Sequence, residues 1–474
     1  MNFSSLTFFL FFALVCALHW TLRKHEARKI VLLAASYWFY GAWDERFLFL
    51  IIGSSAVDYV VGAAIARSDD AVRRKRLLIT SLVVNLGALA IFKYLGFFVD
   101  SAVDGLTRLG FEASAPTLSI VLPVGISFYT FQTLSYTIDI YRGELRPARS
   151  AVDFFLFVAF FPQLVAGPIV RARDFLPQLE VQRTLKAEPF FLGLELFMLG
   201  LFKKLVIADS VGMLVDGVYG ELGEHAAWEV LCAAIGFCFQ IYADFSGYSD
   251  MAIGCAAMLG YRLPENFRLP YLSLSITDYW RRWHISLSSW FRDYLYIPLG
   301  GNRRGVAKTY RNLIATFLLT GLWHGANWTF VMFGAWNGGV LILERWWRAL
   351  RRRLGHHPSP SPHVAWVPVC WVLATASTII SFIFFRADDL GHAIDIFRRI
   401  ASGHPGYGQF PWRHFVYISI WMVAYHLACV LKLGTRLRAR FDPWFLRSLI
   451  YTVYVLLMAA FAPFGERPFI YFQF

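Results

Sequence analysis

The chain has 474 residues, of which 57% are hydrophobic, 18% aromatic and only 16% charged, and its mean hydropathy is +0.49. Ordinary soluble domains carry about 25% charged residues, and here apolar runs close to the about 20 residues that span a bilayer recur along the whole length, which leaves no room for soluble domains. The formal net charge of +13 is not a nucleic-acid footprint: the basic residues cluster in short loops between apolar runs, the positive-inside pattern that reports orientation.

The N-terminal run "FFLFFALVCALHW" is followed by "TLRKHEARK". It has no basic region in front and no small-residue cleavage site behind, so it reads as a retained helix rather than a signal peptide. The loops "TLRKHEARK", "ARSDDAVRRKR", "YRGELRPARS" and "KLGTRLRARFDPWFLR" are basic, whereas "VDGLTRLGFEAS" and "GELGEH" are neutral or acidic. With the basic loops in the cytoplasm and the N-terminus outside, helices at 3–21, 30–43, 47–66, 77–98 and 118–140 alternate without conflict. The next stretch, "FFLFVAFFPQLVAGPIVRARDF", is broken by Pro162, Gly167 and Pro168 and begins and ends near cytoplasmic charge. It is expected to form a re-entrant loop, since irregular backbone at depth is tolerated where other helices shield it. Two further runs cover 190–218 and 228–259. Lys203 and Lys204, near the middle of the first, are expected to snorkel to an interface. Asp244, in "IYADFSGYSDMAIG", interrupts the second. It reads either as part of a helix-breaking turn with Gly247, shared with Ser246 and Asp250, or as half of a buried ion pair.

Residues 261–311 are polar, aromatic and basic. Trp280, Trp283, His284, Leu287, Trp290, Phe291 and Tyr294 recur at three-and-four spacing, with Arg281, Arg282, Ser288, Ser289 and Arg292 largely on the other side. That pattern predicts an amphipathic helix at the cytoplasmic interface, followed by a turn at "PLGGN". His284 on its apolar face reads first as a packing residue. Beyond it, "LLTGLWHGANWTFVMFGAWNGGVLIL" lies in a run with no Asp, Glu, Lys or Arg between Arg311 and Glu344. Both flanks are arginine-rich, and the run is too long for one helix of about 20 residues. Two short helices that enter and return are expected, broken near Gly321 and Gly325-Ala326-Asn327, with His324 at the deep turn. An imidazole at membrane depth is costly and is a functional candidate by default; the bland alternative is a buried histidine bonded to a backbone carbonyl. A linker around "SPSPHVAWVP" and spans at 364–385, 412–431 and 446–464 complete the chain, and the tail, 465–474, is placed outside. The fold class is therefore an all-α polytopic membrane protein, one domain over 1–474, with about eleven spans plus re-entrant and amphipathic segments.

Cys16, Cys232, Cys238, Cys255, Cys370 and Cys429 lie in apolar stretches with no CxxC, which predicts neither a disulfide framework nor a zinc site. No GxSxG, P-loop or strand-to-helix GxGxxG occurs. A neutral histidine can serve as general base near pH 7, and with no Ser or Cys nucleophile indicated, deprotonation of an acceptor hydroxyl is its simplest use. Asn327 reads as a donor to a tetrahedral oxyanion or equally as a helix cap. Arg281, Arg282, Arg292, Arg303 and Arg304 suit either phosphate recognition or positive-inside anchoring.

The block "YADFSGYSDMAIGCAAMLGYRLPENFRLPYLSLSITDYWRRWHISLSSWFRDYLYIPLGGNR", followed by "TGLWHGANW", resembles the membrane-bound O-acyltransferase family, and "FFPQLVAGPIVRARDFLPQL" resembles its bacterial alginate-acetylating branch. The resemblance covers most of the chain, and the histidines of "RRWHIS" and "LWHG" carry it most specifically. It implies that His324 is the catalytic histidine and that His284 lines the donor route, where a cytoplasmic entrance meets an outer funnel. It implies an acetyl thioester as substrate, acetyl-CoA or an acyl-carrier phosphopantetheine, with no bound cofactor. It further implies an exported polysaccharide as final acceptor, a periplasmic acetyl-transferring partner, and residence among the lipids of the bacterial inner membrane. The tail "FIYFQF" fits the family's F-x-Y-x-x-F pattern at Phe469, Tyr471 and Phe474, which implies an acyl relay at Tyr471; by itself it reads as an aromatic-belt anchor. The expected function is O-acetylation of alginate, with peptidoglycan, cellulose or another glycan as alternative acceptors. A proton-coupled transporter is the rival from another class, because buried Asp and His also mark proton relays; no inverted repeat supports it.

Overall fold

The computed structural model describes residues 1–112, 114, 120–355, 363–407, 410–438, 443–463 and 467–470, and among them the regular elements are helical. The first three are α1 (Leu6–Thr21), α2 (His25–Gly41) and α3 (Arg46–Ala66). The α1 N-terminus is capped by Ser5, whose side chain accepts from the Phe8 N–H at 3.2 Å. A run of 38 residues follows, α4 (Ala71–Leu89) continuing through a π-helical turn at Ala90–Tyr94 into α5 (Leu95–Arg108). It is longer than the predicted 77–98 at both ends. The basic "AVRRKR" that reads as loop is helical because Lys and Arg are good helix formers and Asp70 caps the start through the Val72 N–H at 2.8 Å.

Helix α6 (Ile126–Arg142) precedes the broken stretch, which forms α7 (Ala151–Ala159), α8 (Phe161–Leu164) and α9 (Ala172–Leu179) around a non-helical segment. Residues 156–172 are all buried, and Gln163 bonds back to the Phe157 carbonyl at 2.7 Å. Irregular backbone in an apolar setting needs such internal partners. Gly167 is required there, since a Cβ would sit 2.5 Å from Gln163 Cα.

Then come α10 (Ala187–Phe202), a π-turn at Lys203–Ala208, α11 (Asp209–Gly220), and α12 (Ala227–Met258). Helix α12 is unbroken through Asp244 and Gly247, so the helix-breaking reading of that polar group is corrected: the carboxylate is absorbed by an ion pair instead. Short helices α13 (Ile276–Tyr279) and α14 (Ile285–Phe291) lead to α15 (Val306–His324), α16 (Trp328–Arg353), α17 (Val367–Arg386), α18 (Leu390–Ala401), α19 (Trp412–Val430), α20 (Leu433–Arg438) and α21 (Pro443–Phe461).

Among the described residues, five helical stretches are long and apolar enough to cross a membrane: Arg46–Ala66, Ala71–Arg108, Ala227–Met258, Val364–Arg386 and Trp444–Phe461. The protein is thus all-α and multi-pass. In Ala227–Met258 72% of the most apolar window is buried, against 11% in Ala71–Arg108. The former is a protein-enclosed helix, and its polar residues can be functional; the latter presents its apolar side chains outward.

The chain divides into two compact units, 1–197 with 251–264, and 198–250 with 265–474. The first is built on an aromatic cluster of Phe8, Phe39, Phe161 and Phe197. It also encloses a polar knot, in which Asp58 accepts from Ser81 at 2.5 Å and Asn85 at 2.8 Å. The second unit holds both histidines of the sequence reading.

Candidate active site

His324 is the last residue of α15 and is 3% exposed. Chain reversal follows at once: Gly325 and Ala326 are extended or bent, and Asn327 caps α16 by accepting from the Thr329 N–H at 3.1 Å. The predicted return at His324 is present, although α15 and α16 are longer than the short helices expected. They pack closely because they meet on glycine. A Cβ at Gly321 would lie 2.1 Å from the Phe330 carbonyl oxygen, and one at Gly334 would lie 2.3 Å from that of Phe317. The His324 imidazole is ringed by Trp323, Phe385 and Phe333, with centroids at 5.0, 5.1 and 5.5 Å.

His284 stands 6.5 Å from His324, centroid to centroid, and is fully buried. Its other neighbours are Phe245 at 4.6 Å, Trp323 at 5.8 Å and Phe267 at 6.3 Å. The continuous amphipathic helix expected here is not present. The chain turns at His284 itself, where φ is +42°, between α13 and α14. Asn266 explains the turn. Its carbonyl accepts from the Ile285 N–H at 2.9 Å, its Oδ1 accepts from the Ser286 hydroxyl at 2.8 Å, and its amide donates to Ser249 at 3.1 Å. The alternation of burial nevertheless follows the sequence pattern: Trp280, Trp283, His284, Leu287, Trp290, Phe291 and Tyr294 are all buried, against protein rather than lipid. His284 lies outside the membrane-spanning helices, and burial lowers its pKa to about 3, which keeps the ring neutral.

The Lys203-Lys204 pair does not snorkel. Both lysines are buried: Lys203 bonds Asp250 at 2.6 Å and the Tyr425 hydroxyl at 2.9 Å, and Lys204 bridges Asp209 at 2.8 Å and Asp244 at 2.9 Å. Buried cations without such partners would be strongly destabilising. Asp244 Oδ2 also accepts from the Ile470 N–H at 2.6 Å. Phe469 is buried beside it, with its ring 4.8 Å from Tyr248 and 5.8 Å from Phe245. Tyr471 and Phe474 lie outside the described residues. Phe469 and Ile470 therefore lie against the same face of α12 that, through Phe245, meets His284.

The remaining candidates are dispersed. Asn327 acts as a cap, and its Nδ2 donates to the Asp388 carbonyl at 2.8 Å. Arg282 pairs with Asp278 at 2.9 Å and Arg292 with Asp293 at 2.7 Å, while Arg281, Arg303 and Arg304 are exposed. Among the described residues there is no group of three or more His, Cys, Asp or Glu that could hold a metal ion. Sequence reasoning missed Asn266 and Asp209. A polar residue in "ENFRLP" gives no local sign that it pegs a turn 18 residues on, whereas an aspartate in an apolar run five and six residues after two lysines did offer one.

Two buried imidazoles, held among aromatic rings 6.5 Å apart in a multi-pass helical protein, mark the candidate site. The profile of the MBOAT, membrane-bound O-acyltransferase family, matches residues 144–385, which include both histidines, and the chain belongs to that family. It is 44% identical over 392 residues to a probable alginate O-acetylase AlgI of Pseudomonas aeruginosa, covering 82% of this chain and 73% of that one. With the probable alginate O-acetylase AlgI of Azotobacter vinelandii it is 45% identical over 395 residues, 82% and 76% of the two chains. With the peptidoglycan O-acetyltransferase of Helicobacter pylori it is 35% identical over 396 residues, 78% and 73%. The chain is accordingly a polytopic inner-membrane O-acetyltransferase.

Proposed function

We propose that this protein acetylates alginate, taking acetyl from a cytoplasmic thioester and delivering it on the outer side of the inner membrane. The juxtaposition of His284 and His324, buried 6.5 Å apart, carries the site assignment; the similarity to two alginate O-acetylases over 82% of the chain supports the acceptor. The chain is read as one domain that crosses the membrane about eleven times, with 154–175 as a re-entrant segment and 261–311 on the cytoplasmic side.

The chemistry is a thioester-to-oxygen exchange. His324, neutral, takes the proton of the Tyr471 phenol as the oxygen attacks the acetyl carbonyl. The tetrahedral centre collapses, the C–S bond breaks, and the thiolate leaves and is protonated. A phenol has a pKa near 10 and is a poor nucleophile at neutral pH without such a base. The aryl acetate formed is more activated than an alkyl ester and passes its acetyl to a hydroxyl of the periplasmic partner or the polymer. His284 lines the donor route, Asn327 fixes the turn that carries His324, and the exposed arginines draw the phosphates of acetyl-CoA or a carrier's phosphopantetheine. No cofactor needs to be bound.

The test is polymer acetylation by Tyr471→Phe, which keeps the ring and removes only the hydroxyl. Loss of acetylation in a protein that accumulates normally is expected; wild-type acetylation would return the tail to an aromatic anchor. The relative from Helicobacter pylori supports a second reading, with peptidoglycan as acceptor. Acetyl content measured separately in purified alginate and purified peptidoglycan, with and without this protein, decides between them.

A further inference from the structure

Four consecutive residues near the C-terminus are each held by a different group of the second unit. Arg467 pairs with Asp216 at 3.0 Å, and Asp216 is also paired with Arg386 at 2.8 Å. The Pro468 carbonyl accepts from Lys204 Nζ at 3.3 Å. The Phe469 ring packs on Tyr248 and Phe245. The Ile470 N–H donates to Asp244. Two of these four contacts come from one buried triad, Asp209–Lys204–Asp244, in which a single ammonium sits between two carboxylates. One cation between two anions leaves an excess negative charge, and a buried charge needs hydrogen-bond donors to be tolerated. A backbone N–H of the tail is such a donor.

We propose that this triad is a latch for the C-terminal tail and that Asp244 and Lys204 are positioning residues for acyl transfer; the proposal rests on the reading of Tyr471 as the relay. The triad seats Pro468 and Ile470 by their backbone atoms, and a residue bonded directly to a fixed one starts within about 3.8 Å of it, Cα to Cα. The seat is on the wall that leads to the histidines: Phe469 meets Phe245, Phe245 meets His284, and His284 meets His324, at 5.8, 4.6 and 6.5 Å. Because the latch grips main-chain atoms, it constrains the tail's path more than its sequence. It borders a cavity of about 160 Å³ lined by Asp209, Asp216, Gln240 and Arg467 among others, so its polar side is not sealed by apolar packing.

The experiment uses the full-length, cysteine-free chain carrying Ile470→Cys, and measures thiol labelling by a maleimide together with acetylation. Asp244→Ala is expected to raise the labelling rate at least tenfold and lower acetylation at least tenfold. Asp244→Asn, which keeps an oxygen acceptor, falls between. An unchanged labelling rate in Asp244→Ala protein that elutes like its parent overturns the latch, whatever the activity. Faster labelling with undiminished acetylation leaves the latch standing and overturns the relay reading instead. If Asp244→Ala does not fold, the tail-side change Ile470→Pro removes the same hydrogen bond without touching the triad. Combined with Asp244→Asn, its loss of acetylation should not multiply; independent, multiplying losses would refute the coupling.

Discussion

At the scale of single residues, the site depends on one backbone angle. A non-glycine residue at positive φ is uncommon and is held only where its surroundings over-determine it. At His284 that surrounding is Asn266, and the result is an imidazole aimed among rings instead of along a helix face. His324→Ala should abolish acetylation while the protein still accumulates in the membrane; normal acetylation by a stable variant would remove the general base from the mechanism. His284 makes a separate prediction through pH. Its pKa is about 3 in the folded protein against 6.5 for the ordinary group. The unfolded chain therefore binds the extra proton first, so this residue's share of stability is present above pH 6.5 and is lost as pH falls from there toward 3. Thermal unfolding in detergent should show acid sensitivity in that window, and His284→Gln should flatten it. Parallel pH profiles for parent and variant would contradict the assignment.

At the scale of elements, the α15–α16 hairpin places His324 by glycine contact. A methyl at Gly321 or Gly334 meets backbone oxygen, which cannot swing aside as a side chain could. Gly321→Ala and Gly334→Ala are each expected to cost about 1–3 kcal/mol by overpacking and to lower acetylation with the histidines intact. Unfolding midpoints equal to the parent's would show that the helices are looser than described. This hairpin was legible in the sequence, because a charge-free run too long for one helix, flanked by arginines and broken by glycine, has few other solutions. The turn at His284 was not legible. Periodicity registers which residues are apolar-facing, and all seven such positions are buried, in protein rather than at the interface expected; it cannot register an asparagine 18 positions earlier that bends the backbone between them. The lysines failed for a related reason. Sequence neighbours suggested an interface, while the partners that matter, Asp244 and Asp250, stand a helix away.

At the scale of the whole molecule, loop charge assigns Arg73–Arg76 to the cytoplasm and the C-terminus to the outside. A Lys75→Cys label in a cysteine-free background should be unreactive toward an impermeant reagent added from the periplasm. Ready labelling would invert the orientation and place the tail with the thioester, where a relay has no purpose. Composition and loop charge made the all-α, multi-pass class legible. The burial of Phe469 and Ile470 was not, because an apolar pair reads the same whether it faces lipid or Phe245 and Tyr248.

The π-turn at Lys203–Ala208 sets a rule about chain length rather than composition. Such a turn holds one residue more than an α-helix would use over the same rise. A deletion of a single residue between 203 and 208 would let α10 and α11 fuse into a regular helix. The flanking helices would keep their facing, because the bulge absorbs its extra residue, but residues within the turn would be re-aimed by up to about 100°, one residue's share of a 3.6-residue turn. Two adjacent lysines could no longer both face inward, and Asp244 and Asp250 would each lose their cation. Within this short window, register is the inherited quantity, and removal of one codon should be more damaging than most substitutions.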